Sequence, residues 1–319
     1  MAFCLQYLPA ILTALISVAV LVLAVSLGIF LKIFYSPKRK PLRDNEYPTP
    51  DGTVYDPYRE QMVAWVKENR ARNHVDVSVT SHDGLTLRGK YYEFKKGAPL
   101  EILFHGYRGS AERDLSGGVY RCFRLGHNAL IVDHRGSGSS DGNVITFGTQ
   151  ESRDLLIWVE FATEQIDPNA RIILTGISMG AATVMTAASM PLPPNVVGIL
   201  ADCGYTSTQE IIQKVMRDLK LPAKALYPFV RLGALLFGHF DPDATSPIQS
   251  MRQCGLPVIF FHGDADDFVP CHMSEENYNA CTSEYKRLVI TPGAGHGLCF
   301  PADQKNYLEE LESFFAPLL

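Results

Sequence analysis

The residues best suited to catalysis surround one serine. Gly176-Ile177-Ser178-Met179-Gly180 has the spacing G-x-S-x-G, between the apolar run Arg171–Thr175 and the small, apolar run Met179–Ser189. Glycines two residues either side of a serine let a strand turn sharply into a helix, because no Cβ clashes with either element. Such a turn exposes the hydroxyl, and the helix N-terminus adds hydrogen-bond donors. We therefore predict that Ser178 is a nucleophile rather than part of an ordinary glycine-rich turn.

A serine hydroxyl needs a neighbouring base to become nucleophilic. Of the nine histidines, His296 stands in the glycine-rich stretch Gly293–Gly297, which follows the apolar run Arg287–Thr291. Glycines would let the backbone carry an imidazole across the top of a sheet. An isolated loop histidine is usually just solvated, but its place after a strand and downstream of Ser178 favours a catalytic base.

The base in turn needs an acid on its other ring nitrogen. The stretch His262–Pro270 follows the apolar run Pro257–Phe261 and offers three carboxylates, which are Asp264, Asp266 and Asp267. Asp202, at the end of the preceding apolar run, is a competing acid. The residues alone leave this choice open.

An acyl-transfer site also needs donors for the oxyanion. The stretch Phe104-His105-Gly106-Tyr107 closes another apolar run. We predict that the backbone N–H groups of Tyr107 and Met179 form the oxyanion hole. The side chain of His105 is expected to be structural and to fix the loop that follows.

These groups must be positioned by a sheet, and eight apolar runs predict its strands. The first two alternate as a half-exposed hairpin does, with a turn at residues 82–84, and the later ones are continuously apolar, as buried parallel strands are. The predicted strands are Val75–Thr80, Leu85–Tyr92, Leu100–Phe104, Ala129–Val132, Arg171–Thr175, Val196–Ala201, Pro257–Phe261 and Arg287–Thr291.

Helical spacing between these runs predicts an α/β fold with a doubly wound, mostly parallel sheet. The predicted helices are Tyr58–Asn69, Thr149–Phe161, Met179–Ser189 and Ala302–Phe315. Residues about 207–251 are too long for an ordinary crossover and are predicted to be a helical cap insertion.

The N-terminus predicts a membrane anchor. Residues 1–31 carry no charged side chain, and a helix of about 20 apolar residues crosses a bilayer. A cleaved signal peptide would show a basic start and a shorter apolar core, and a buried core helix is the other alternative. We predict a single-pass transmembrane helix within residues 1–35. Basic residues follow it and none precedes it, which predicts a cytoplasmic catalytic domain. They are Lys32, Lys38, Arg39, Lys40 and Arg43.

The remaining organisation follows from composition. Residues 36–71 are predicted to be a proline-rich, extended linker with a short helix, and residues 72–319 the catalytic domain. The net charge of −5 argues against nucleic acid as a partner. Seven cysteines with no CxxC spacing argue against a disulfide framework or a structural zinc site, so we expect mostly reduced thiols and no metal or organic cofactor.

Together these motifs resemble the α/β-hydrolase superfamily over about residues 72–319. Asp133–Ser140 is similar to its D-x-R-G-x-G-x-S loop, and His262, Gly263, Asp266, Val269 and Pro270 match its H-G-x-x-D-x-x-V-P signature. The resemblance therefore selects Asp266 as the acid, in the order Ser178, Asp266, His296. The run Ala201–Ser207, with the anchor, is similar to the bacterial membrane-anchored group related to the Bem46 and ABHD13-type hydrolases.

The expected function is a serine hydrolase that cleaves an acyl ester or thioester. A serine peptidase on the same fold and an inactive membrane-tethered binding module are the alternatives. Residues 211–240 interleave apolar and basic side chains, which suits a surface resting on a bilayer and a hydrophobic roof over Ser178. We therefore expect a small-molecule or lipid-like, amphiphilic acyl substrate.

Overall fold

The structure is a computed structural model that describes residues 2–38, 43 and 45–319, with side chains from residue 7 onwards. The flanking residues Arg39, Lys40 and Pro41, and the side chain of Cys4, lie outside this part. Eight strands form one sheet in the order β1-β2-β4-β3-β5-β6-β7-β8. They are β1 Val75–Thr80, β2 Thr86–Tyr92, β3 Leu100–Phe104, β4 Asn128–Val132, β5 Ile172–Ile177, β6 Val196–Asp202, β7 Val258–Gly263 and β8 Lys286–Thr291.

Strand β2 is antiparallel to both of its neighbours, and β3 to β8 are all parallel to one another. Every residue of β3, β4 and β7 is buried, whereas β1 is largely exposed. This agrees with the sequence, since alternation marked the edge hairpin and continuous apolar runs marked the centre. The predicted α/β-hydrolase type of sheet is confirmed.

Helices cover both faces of the sheet, and three of them form the insertion between β6 and β7. The helices are α1 Ala2–Ile33, α2 Arg59–Ala71, α3 Ala111–Leu125, α4 Glu151–Phe161, α5 Met179–Ala187, α6 Thr208–Asp218, α7 Ala223–Phe237, α8 Pro247–Met251, α9 His272–Ala280, α10 Cys299–Ala302 and α11 Gln304–Phe315. Helices α6 to α8 correspond to the predicted cap.

Helix α1 is the one helix in the described part of the chain that is long and apolar enough to cross a membrane. Its stretch Tyr7–Ile33 has a mean hydropathy of 2.8, and only 11% of its most apolar window is buried. A helix of this composition leaves its side chains exposed in water, which favours a lipid environment for its N-terminal part.

The C-terminal part of α1 packs against α7 of the cap. A Cβ on Gly233 would lie 2.5 Å from the carbonyl oxygen of Ser26 and 3.2 Å from the Cβ of Phe30, so glycine permits the close approach. The rings of Phe30 and Phe237 are 5.9 Å apart at their centroids. Helix α1 is therefore part of the folded body.

The segment between α1 and α2 differs from the predicted extended linker. Residues 53–58 form a short 3₁₀ helix, and the guanidinium of Arg59 donates to Thr49 and to the carbonyl of Pro50. These bonds tie residues 49 and 50 to the start of α2, and Val54 packs against Gly295 of the catalytic domain. We call residues 49–58 the strap below. Prolines still fix its backbone, but it is not a free tether.

Candidate active site

Ser178 stands at the sharp turn between β5 and α5. Its backbone has φ 57° and ψ −116°, a strained conformation for a residue with a Cβ. The flanking glycines permit the turn. A Cβ on Gly176 would lie 2.2 Å from the carbonyl of Gly180, and one on Gly180 would lie 2.0 Å from the carbonyl oxygen of Phe104. No other residue type fits at these two positions, so the G-x-S-x-G spacing is a steric requirement of this turn.

The structure brings three of the predicted site residues into one hydrogen-bonded series. The Nε2 atom of His296 is 2.9 Å from the Oγ of Ser178, and its Nδ1 atom is 2.7 Å from the Oδ2 of Asp266. His296 follows β8 between Gly293 and Gly297, whose φ angles of 71° and 67° lie in the region that favours glycine. A nucleophile, a base and an orienting acid have this geometry in serine hydrolases.

The carboxylate of Asp266 is held by more than the histidine. Its Oδ1 accepts from the backbone N–H groups of Phe268 and Val269 at 2.9 and 2.8 Å, and His262 is 3.3 Å from its Oδ2. Burial alone would raise the pKa of Asp266, but the hydrogen bonds from His262 and His296 outweigh it and hold the pKa below its usual range. This carboxylate is ionised at neutral pH and can stabilise an imidazolium.

The competing acid, Asp202, bonds through its carboxylate to Tyr307 and not to His296. Its Oδ2 accepts from the Tyr307 hydroxyl at 3.0 Å. Burial raises its pKa, so its charged form is disfavoured. Of the other carboxylates in the acidic loop, Asp264 accepts from the N–H of Gly293 at 2.6 Å and so fixes the histidine loop. Only Asp266 reaches the His296 ring among these candidates.

The predicted oxyanion donors lie beside the serine. Met179 is the first residue of α5, where an N–H has no intrahelical acceptor. Tyr107 follows Gly106, whose Cβ would lie only 3.4 Å from that of Ser178. Within the described residues the N–H of Tyr107 donates to no other backbone group. The Met179 N–H therefore belongs to the residue next to Ser178, and the Tyr107 N–H to the residue after one that packs against the Ser178 side chain.

His105 is buried and ties two loops together, as expected for a structural residue. Its Nε2 accepts from the N–H of His134 at 3.0 Å, and the Nε2 of His134 is 3.1 Å from the His105 carbonyl. The loop similar to D-x-R-G-x-G-x-S is fixed likewise, since Asp133 accepts from the N–H groups of Ala111 and Ser139. These contacts position the Gly106–Tyr107 turn.

Comparisons with known proteins show what this chain is similar to. Residues 100–234 match the family model described as serine aminopeptidase, S33. An uncharacterized protein of Bacillus subtilis, YqkD, is 27% identical over 191 residues, which are 60% of this chain and 62% of that protein. Protein bem46 of Schizosaccharomyces pombe is 23% identical over 228 residues, 70% of this chain and 69% of that protein. The solved esterase Pf2001 of Pyrococcus furiosus has a TM-score of 0.65 at 20% identity, covering 90% of this chain and 97% of that one.

The chain has the α/β-hydrolase fold and is similar to proteins of the Bem46 type. The match to the hydrolase family model over residues 100–234 identifies it as a hydrolase.

The site of this α/β-hydrolase opens into a cavity of about 500 Å³. The cavity lies between the strap, α2 and α3, and it contains Ser178 and His296. Its apolar wall consists of Val54, Met62, Trp65, Leu103, Leu115, Ile177, Leu200 and Phe300. Among the described residues no side chain of the cap, 207–251, lines it. The expected hydrophobic roof is therefore built by the strap and α2 and not by the cap.

The strap contributes residues that the sequence analysis missed. Val54 packs against Gly295, where an added Cβ would lie 2.7 Å from its Cγ2. Tyr55 lines the cavity, and burial raises the pKa of its phenol. The tyrosine is thus neutral at physiological pH. No motif marks these residues, because they reach the site only through the fold of the strap.

The cysteines of this α/β-hydrolase do not form a convincing metal site. The six described cysteine side chains are all free thiols. Cys203, Asp266 and His296 present possible ligand atoms within 4.8 Å of one another. However, both ring nitrogens of His296 are engaged by Asp266 and Ser178, and burial raises the pKa of the Cys203 thiol. A metal needs a thiolate and a free imidazole nitrogen, and this arrangement disfavours both.

Proposed function

We propose that this chain is a membrane-anchored serine hydrolase that cleaves an acyl ester or thioester through an acyl-enzyme intermediate. The observation that carries the proposal is the series from Asp266 through His296 to Ser178, at 2.7 and 2.9 Å. An inactive binding module would have no need of this arrangement on a strained backbone.

The proposed mechanism uses the three hydrogen-bonded side chains and the two backbone donors. Ser178 Oγ attacks the substrate carbonyl while His296 Nε2 takes its proton, and the amides of Tyr107 and Met179 stabilise the oxyanion. The imidazolium then protonates the leaving group, and Asp266 stabilises its charge. Water, activated by His296, hydrolyses the acyl-enzyme and frees Ser178. No metal or organic cofactor takes part in these steps.

The anchor supports a location at a membrane. We propose that α1 spans the bilayer and that the catalytic domain lies on the cytoplasmic side, because the basic residues follow the helix. Protease added outside intact cells would then leave the catalytic domain uncut. The cap exposes four leucines, the last two of them on α7, the helix that packs against α1, and such apolar side chains suit a membrane surface. They are Leu219, Leu221, Leu235 and Leu236.

Labelling of Ser178 tests the enzymatic proposal directly. An alkyl fluorophosphonate should modify the wild-type chain, because its phosphorus is attacked by an activated serine. The Ser178→Ala variant should not be labelled. The buried, unactivated hydroxyl of Thr183 offers a control, since Thr183→Val should be labelled like the wild type. Equal labelling of wild-type and Ser178→Ala chains would contradict the assignment.

The apolar wall of the cavity supports an amphiphilic acyl substrate. Each buried CH₂ contributes about 0.8 kcal/mol, so kcat/KM should rise with acyl length until the cavity is filled. Hydrolysis of p-nitrophenyl esters from acetate to palmitate by the full chain measures this. A steady fall beyond acetate would contradict an acyl-binding role for the cavity.

A serine peptidase remains the second candidate, because the matching family model is described as a serine aminopeptidase. Such an activity would use a carboxylate to bind the substrate ammonium, and Asp51 and Asp267 line the cavity. Hydrolysis of aminoacyl coumarin amides should be measured beside that of the p-nitrophenyl esters. Higher kcat/KM for these amides than for every ester would favour the peptidase.

A further inference from the structure

The last turn of α1 is bonded to the loop that carries the Tyr107 amide. The Tyr107 hydroxyl donates to the carbonyl of Ile33 at 2.6 Å, and Arg108 Nη2 donates to the carbonyls of Lys32 and Tyr35 at 2.9 Å each. The end of a helix leaves carbonyl groups without an intrahelical donor. Here two adjacent side chains of the candidate oxyanion loop supply the missing donors.

The chain beyond α1 is fixed just as firmly. The Phe34 side chain is fully buried and packs edge-on against Phe147 and Phe240, with centroid distances of 5.7 and 5.2 Å. The N–H of Ile145 donates to the Phe34 carbonyl at 2.8 Å. The last turn of α1 therefore has a defined place relative to Ser178.

The oxyanion loop depends on such support because its backbone is strained. Arg108 has φ 52°, in the left-handed region that costs energy for a residue with a Cβ. A strained residue persists only where its surroundings hold it. Here the Arg108 guanidinium is bound by two carbonyls and lies 5.2 Å from the centroid of the Tyr107 ring. The direction of the adjacent Tyr107 N–H is thus tied to the anchor.

We propose that the last turn of α1 positions the oxyanion donor, through the Tyr107 hydroxyl and the Arg108 guanidinium. The anchor helix is then a structural part of the catalytic centre as well as a membrane attachment. Both side chains are positioning residues, because they act through the Tyr107 amide. This inference rests on the proposed serine hydrolase function.

The test uses the full chain in detergent or vesicles. Tyr107→Phe and Arg108→Met each remove the bond to α1 and keep the amide. Their kcat is expected to fall about 10- to 100-fold, because a misplaced donor is lost mainly in the transition state, whereas KM should change less than about twofold. The inhibition constant of an alkyl trifluoromethyl ketone, which forms an oxyanion on the serine, should rise in parallel with the fall in kcat.

A matched control removes the same kind of bond elsewhere. The Tyr285 hydroxyl donates to the carbonyl of Phe314 at 2.9 Å, away from the site, so Tyr285→Phe should leave kcat and the inhibition constant unchanged. Thermal unfolding of each variant identifies any that does not fold. If one of Tyr107→Phe and Arg108→Met does not fold, the other alone tests whether α1 positions the oxyanion donor.

Hydrogen exchange adds a readout that does not depend on activity. The amides of residues 106–109 should exchange faster in both variants than in the wild type, because the loop loses its support. A labelled, active wild type with unchanged kcat and unchanged exchange in the variants would overturn the positioning role. A wild type that no fluorophosphonate labels would instead overturn the proposed function.

Discussion

Replacement of Asp266 by asparagine is expected to lower kcat by about 10⁴-fold, the size of effect known for this change in a serine-protease triad. Asp266 Oδ2 is 2.7 Å from His296 Nδ1. The amide has lost the charge that stabilises the imidazolium, and its NH₂ group would face the Nδ1 proton and favour the wrong tautomer. Initial rates of ester hydrolysis, with the substrate saturating, measure the loss.

Asp264→Asn is the matched control for this change. Asp264 lies two residues away in the same loop and contributes one oxygen to the N–H of Gly293, which an asparagine oxygen can also accept. Its kcat should stay within about threefold of the wild type, since surface substitutions usually act weakly. Should Asp202→Asn prove more damaging than Asp266→Asn, the acid has been assigned wrongly.

The sequence alone predicts the residues whose spacing is a steric or chemical requirement. Ser178 stands out because only glycine fits two positions either side, where a Cβ would lie about 2 Å from backbone atoms. The central strands were predictable because burial on both faces demands continuous apolar runs. The choice of Asp266 among its neighbours required the family resemblance, since nothing in their spacing separates them.

Helix α3 was not predicted from the sequence, and the reason is physical. Gly117 and Gly118 stand in its middle, and each glycine weakens a helix by about 1 kcal/mol relative to alanine. The structure explains both: a Cβ on Gly117 would lie 2.8 Å from the Trp65 ring, and one on Gly118 would lie 2.5 Å from Leu103. Tertiary packing needs the space, and it overrides the local preference. The N-cap at Ser110, which accepts from the N–H of Arg113, was the available signal.

The sequence contains no pattern that predicts how α1 and the strap pack on the catalytic domain. Helix α1 is held through backbone carbonyls, which every residue carries, and its apolar composition predicts a membrane span whether or not it packs on the domain. The prolines of the strap predict a linker, because proline disfavours regular structure. Proline restricts the backbone, but it does not determine whether the segment packs.

Beneath the site, a buried ion pair joins three elements, and its disruption should cost more stability than any other single change considered. Glu101 of β3 is bound by Arg121 of α3, by Thr175 Oγ1 at 2.8 Å and by His127 Nδ1 at 3.0 Å. Burial opposes its charge, but Arg121, His127 and Thr175 lower the pKa of Glu101 to about 2. The carboxylate is therefore charged in the folded state.

The Arg121→Met variant is expected to lose about 3–5 kcal/mol of unfolding free energy at neutral pH, because it leaves the Glu101 charge buried without its main partner. The double variant Glu101→Gln/Arg121→Met should recover more than half of this loss, since glutamine still accepts from Thr175 without a charge. Urea titration of the full chain, followed by the fluorescence of Trp65 and Trp158, measures both.

The pH dependence of stability distinguishes a buried charge from lost packing. In the wild type the folded pKa of Glu101 is lowered from 4.5 to about 2, so its contribution to stability is present above pH 4.5 and is lost as the pH falls toward 2. In Arg121→Met burial would raise the folded pKa instead, and protonation would relieve the penalty. The stability difference between the two chains should therefore shrink as the pH falls from neutral toward 4.5, where Glu101 of the folded variant becomes protonated. It should shrink further from pH 4.5 toward 2, where the wild type loses its stabilisation. A difference that is the same at pH 7 and pH 4 would mean that the loss comes from packing and not from the buried charge.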